Sequence, residues 1–86
     1  MSNWVRNTDD EQSDHIVLSF KNPETREGKY IAELEDGSFS VQYWPDLAKE
    51  IETVSLLGSG ETKEEAARVL AEHLSGYTEE DLVQLV

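Results

Sequence analysis

One stretch constrains this chain more than any other: Thr62 to Ser75, which carries helix signals at both ends. Thr62 and Glu65 have capping-box spacing, so each side chain can satisfy a backbone amide that the first helical turn leaves open. Glu64 and Glu65 place negative charge where the helix dipole favours it. Ala66, Ala67, Val69, Leu70 and Leu74 recur at helical spacing and form one apolar face. Gly76 stands where a left-handed stop is expected. A helix with one apolar face needs a surface to lie on, and the preceding residues must supply it.

That surface reads as a sheet. His15 to Lys21 alternates as a first strand, with Ile16, Leu18 and Phe20 on one face. Asn22 to Gly28 is a polar connection punctuated by Pro and Gly. Lys29 to Glu35 and Ser38 to Tyr43 are the next two strands, and Asp36-Gly37 between them signals a two-residue hairpin turn. That turn pairs Glu35 with Ser38 and Tyr30 with Tyr43. Tyr30, Ala32, Leu34, Phe39, Val41 and Tyr43 then share the covered face, and Ile31 is the exception. Pro45 ends the third strand. Leu47 to Ile51 fits a short helical turn, Thr53 to Leu57 a fourth strand, and Gly58-Ser59-Gly60 a loop into the helix. Thr78 and Asp81 start a second, short helix, with Tyr77 and Leu82 in staple positions. Its apolar residues Leu82, Val83, Leu85 and Val86 either pack on the domain or meet another copy. The expected fold is α+β: an antiparallel three- to four-stranded sheet with one face covered by a C-terminal helix, plus a short last helix.

Met1 to Asp14 is polar, with Trp4 and Val5 as apolar anchors, and is expected to be a disordered N-terminal arm. Residues 15–86 then form a single domain, small enough that a homodimer contact would help it. Nineteen acidic residues against seven basic ones give a formal net charge of −12. Such a surface repels nucleic-acid backbones. It suits either a basic protein partner or a cytoplasm of high salt, where screening removes the self-repulsion. The acids are spread through every segment, which favours a whole-surface, halophilic adaptation. The chain has no cysteine, no apolar run approaching the roughly 20 residues of a membrane span, and no signal-peptide pattern. A cytoplasmic location is the expectation.

No residue pattern specifies catalysis, a cofactor or a metal. Gly58 to Lys63 lacks the phosphate-loop spacing and is crowded by Glu61, Glu64 and Glu65. His15 and His73 have no metal-ligand spacing around them. Glu33 and Glu35 read as one solvated strand face. Tyr30, Phe39 and Tyr43 are expected under the helix, without the interleaved basic residues that a base-stacking platform needs. Trp44, at the strand exit beside Pro45, reads instead as an exposed anchor.

Two motifs in this order carry a family resemblance: Tyr43-Trp44-Pro45-Asp46-Leu47, then Gly58-Ser59-Gly60-Glu61-Thr62-Lys63-Glu64-Glu65-Ala66 opening a helix. Together they resemble the HicB-type antitoxin family, over Lys29 to Leu74. The resemblance implies a partial RNase H-like domain that binds a protein toxin and catalyses nothing. The chain departs from the family in its longer Ala48–Leu57 connection. It also lacks an obvious DNA-binding segment after the domain, since Thr78 to Val86 is too short and too acidic to read a groove. The expected function is a small acidic protein-interaction domain that binds a basic protein partner, with Trp44, Asp46, Leu82 and Val83 as partner-binding residues. The alternative is a dimeric nucleic-acid-linked regulator, whose only basic candidates are Arg6, Lys21, Arg26 and Lys29.

Overall fold

The β-branched and aromatic runs pair into a five-stranded antiparallel sheet in simple up-and-down order: β1 (Val5–Arg6), β2 (Ile16–Asn22), β3 (Glu27–Glu33), β4 (Phe39–Trp44) and β5 (Ser55–Gly60). Two helices follow, α1 (Lys63–Glu72) and α2 (Glu79–Leu85). The computed structural model describes residues 3–49 and 54–86. The α+β class and the helix-covered sheet agree with expectation, with one more strand than the three or four expected. Ile51 and Thr53, placed in a turn and a strand from sequence, lie outside the described residues.

Both helix starts form as their sequences dictate. The Thr62 hydroxyl accepts from the Glu65 amide at 3.2 Å, and the Glu65 carboxylate accepts from the Glu61 amide, one residue before the cap. At α2 the box is complete: the Thr78 hydroxyl accepts from Asp81, and the Asp81 carboxylate accepts from the Thr78 amide. Helix α1 ends earlier than expected, with His73 at its C-cap; Gly76 takes the left-handed conformation in the link to α2. The His73 carbonyl accepts from the Lys29 ammonium, a cation at the negative end of the helix. Lys29 also lies over the rings of Trp4 and Tyr43. Burial of this ammonium pushes its pKa down, against the opposing pull of Glu27.

The hairpin register differs from expectation by one residue. Observed pairs include Lys29 with Tyr43, Ile31 with Val41, and Glu33 with Phe39. The turn explains the slip. The Gly37 amide donates to the Leu34 carbonyl, the Leu34 amide donates to the Ser38 carbonyl, and only Gly37 has a positive φ, of 88°. This is a three-residue loop with its glycine in the left-handed position, whereas a two-residue turn of the favoured type needs positive φ at both central residues. One residue of slip turns all of β3 over. Ile31 is therefore fully buried beneath the helices, while Tyr30, Ala32 and Leu34 face the other way. Phe39 and Val41 keep their expected place in the core.

That core joins Leu18, Phe20, Ile31, Phe39 and Val41 from the sheet to Ala66, Ala67, Leu70, Leu74 and Leu82 from the helical segment. Trp4, from the segment expected as a disordered arm, belongs to it. Trp4 is only 7% exposed, its carbonyl accepts from the Tyr77 hydroxyl, and β1 pairs with β2. A single 3-10 turn (Asp10–Gln12) then folds back over β2, where Asp10 accepts from the Ser19 hydroxyl and Glu11 from the Ser19 amide. Arg6 forms a two-pronged ion pair with Glu11. Burial of a large aromatic ring outweighs the polarity of its neighbours here.

Gly58-Ser59-Gly60, expected as a loop, is the second half of β5. Gly58 and Gly60 pair with Val41 and Phe39 on the core face. A Cβ on Gly58 would stand 2.6 Å from Val69, and one on Gly60 would stand 2.8 Å from the Ala66 backbone nitrogen. The glycines let α1 approach the strand closely, as residues without a side chain do.

Candidate functional site

The slipped register builds a surface on the side of the sheet away from the helices. Pairing puts Ile16, Ser19, Tyr30, Ala32, Ser40, Gln42, Trp44 and Leu56 on that open face. Antiparallel sheets commonly leave one face to solvent and make it polar. This one is mixed. Tyr30, Ala32, Ser19 and Ser40 are buried in its floor, while Leu34 and Leu56 are exposed. A groove of about 400 Å³ runs across it from the 3-10 turn to Trp44.

Polar groups hold the floor in place. The Tyr30 hydroxyl donates to Gln42 at 2.6 Å, and the Gln42 amide donates to the Ser40 hydroxyl at 2.7 Å. Burial pushes the Tyr30 pKa up, and the nearby Asp10 carboxylate adds to it. Asp10 and Glu33 stand at the rim, and no Lys or Arg lines the groove. The groove thus combines an apolar floor, two fixed hydrogen-bonding groups and a rim of negative charge.

The Trp44–Leu47 element closes one end. Trp44 is half-buried, and its indole N–H donates to the Lys49 carbonyl at 3.2 Å. Asp46 accepts from the Ala48 amide through its side chain and from the Lys49 amide through its backbone, which makes it a turn former. Leu47 lies directly over Gly28, where a Cβ would stand 2.8 Å from its methyl group. Trp44 and Asp46 are therefore neighbours at the groove end. Leu82 is far from that role. It is fully buried and Val83 packs partly against the core, so the apolar face of α2 is used within the domain.

The other sequence candidates are dispersed. Glu35 lies in the turn and Glu33 at the end of β3, so they do not form a strand-borne carboxylate pair. His15 lines the groove while His73 caps α1. Among the described residues, no group of three or more His, Asp or Glu side chains is placed to hold a metal ion. At the start of α1 the Glu65 amide is taken by the Thr62 hydroxyl and the Ala66 amide by the Thr62 carbonyl, and the Glu65 carboxylate covers the Glu61 amide just before the cap. Among the basic candidates, Arg6 and Lys29 are engaged internally. No helix among the described residues is long and apolar enough to cross a membrane.

The residues that sequence reading missed are Tyr30 and Ala32, which it assigned to the covered face, and Gln42, which it did not single out. The one available signal was Ile31, the apolar residue that fitted poorly on the face assigned to it. Comparisons with protein families, with curated proteins and with solved structures return no match.

Proposed function

We propose that this protein is a small acidic interaction domain that binds a basic protein partner on its open sheet face and performs no catalysis. The observation that carries this reading is the groove itself: a floor bearing Tyr30, Ala32 and Gln42, an exposed Leu34, a half-buried Trp44, an acidic rim, and no lining Lys or Arg. Such a surface fits a partner segment with an apolar contact and flanking Lys or Arg. The charge of −12 would speed association with that partner and disfavour acidic competitors. Resemblance to HicB-type antitoxins supports the same class of function, and the Trp44-Pro45-Asp46-Leu47 motif that carries it lies at the groove end. The acidity also fits a high-salt cytoplasm, which this proposal takes as the setting. Nucleic-acid binding is less well supported, because only Lys21 and Arg26 remain of its four basic candidates.

Affinity capture of the tagged full chain in native salt tests the reading. A small basic protein should be retained by the wild type and lost by Leu34→Lys, which places a cation on the acidic rim without touching the core. Capture of no such protein, or equal retention by the variant, would overturn the proposal.

A further inference from the structure

The two edges of the sheet are finished differently. The β1 edge is two residues long, carries Arg6, and leads within a few residues into the 3-10 turn that folds over β2. The β5 edge is six residues long and reads Ser-Leu-Leu-Gly-Ser-Gly, with no charge and no proline, in a chain that is 30% charged. Proteins guard free edges with charges, prolines, short strands, bulges or covering segments. Of these, among the described residues, β5 has a bulge at Leu57, between the Val41–Gly58 and Gln42–Leu56 pairs. Leu56 projects on the open face and is 66% exposed, more than any other large apolar residue described.

We propose that β5 pairs antiparallel with β5 of a second copy, joining two five-stranded sheets into one. The occupant follows from charge. A basic segment would find no acid on this strand to pair with, whereas a second β5 is uncharged along its whole length. In an isologous antiparallel contact the strand meets its own copy, residue i against j and j against i, so charges of one sign along it would meet their like. This edge avoids that entirely, although the rest of the surface is strongly acidic. The two-fold axis keeps both open faces on one side, so each Leu56 comes beside the partner's strand and loses exposure. The contact is small, at the low end of specific interfaces. It therefore depends on concentration, and on salt to screen two chains of −12.

Sedimentation of the full chain over a wide concentration range tests this, at about 0.15 M and about 1 M salt, where the screening length falls from ~8 to ~3 Å. The wild type should show a monomer–dimer equilibrium that shifts towards dimer at the higher salt. Leu56→Lys should weaken the dimer by roughly tenfold, since it removes the exposed apolar contact and puts one like charge on each of the two paired strands. Leu85→Lys, at a leucine on α2 that is 43% exposed, should leave it unchanged. Circular dichroism melts show whether both variants fold. A wild type that stays monomeric throughout overturns the proposal, as does a dimer that folded Leu56→Lys leaves intact. Basic-partner docking is read separately, because a monomer that still retains its partner overturns the dimer alone.

Discussion

Replacing Gly60 with alanine should destabilise the fold by wedging α1 away from the sheet. The new Cβ would stand 2.8 Å from the Ala66 nitrogen, 2.8 Å from the Glu65 Cβ and 3.1 Å from the Glu65 carbonyl carbon. Two of these atoms are backbone, and the turn they belong to is held by the Thr62 cap and by the Ala66 amide's bond to the Thr62 carbonyl at 3.1 Å. No side-chain rotation relieves the clash, so the helix must lift and loosen Ala66, Ala67 and Leu70. Overpacking of this kind costs about 1–3 kcal/mol. The lower entropy of the unfolded alanine chain returns about 0.4–1 kcal/mol. The midpoints of the two ranges leave a net loss of about 1.3 kcal/mol, or a fall in Tm of roughly 5–10 °C for a domain of this size. Gly58→Ala meets a different obstacle, the Val69 methyl at 2.6 Å. Adding Val69→Ala should therefore recover part of the Gly58→Ala loss, whereas Glu65→Ala should not rescue Gly60→Ala. Thermal unfolding of the four variants by circular dichroism decides. A Gly60→Ala melt superimposable on the wild type would refute the close approach of α1 to β5.

Three further outcomes follow from the packing and the charges. Trp4→Ala should cost about 3–5 kcal/mol, the range for a large buried aromatic, in chemical denaturation; a loss of a few tenths would show that the N-terminal segment is not part of the core. Thr62→Ala should cost about 1 kcal/mol through the lost cap, and an unchanged melting midpoint would misplace the helix start. Glu27 is held below the ordinary glutamate value of 4.5, first by the Tyr43 hydroxyl and then by Thr25. Its folded pKa lies below its unfolded one, so its contribution is present above pH 4.5 and fades as pH falls through the folded value. The stability difference between wild type and Glu27→Gln should therefore shrink on acidification in pH-resolved melts; a difference constant from pH 7 to below the folded value would contradict the Tyr43–Glu27 contact.

What sequence could and could not show divides along the range of the interactions. The caps of α1 and α2 are legible because Thr62 with Glu65 and Thr78 with Asp81 act within one turn. The hairpin register is not, because Asp36-Gly37 suits both a two-residue and a three-residue turn, and only the backbone at Asp36 distinguishes them. That single ambiguity moved Tyr30, Ala32 and Leu34 from the core to the open face, and with them the floor of the candidate site. Trp4 was hidden by its polar neighbours, since its partners Lys29 and Tyr77 are distant in sequence. Gly58 and Gly60 looked like a loop because the helix that requires their missing side chains comes only afterwards. Trp44 does stand at the strand exit as expected, but half-buried rather than exposed, because its indole folds back onto the Lys49 carbonyl. Leu82 was not, because an apolar helix face looks the same whether it packs within the chain or against another.

Amide shifts on titration with the captured and purified basic partner test the docking face most directly. The account predicts that the largest changes fall on Tyr30, Ala32, Leu34, Gln42 and Trp44, on the side away from the helices. Changes concentrated instead on the outer surface of α1 and α2, at Arg68, Glu79 and Glu80, would contradict it.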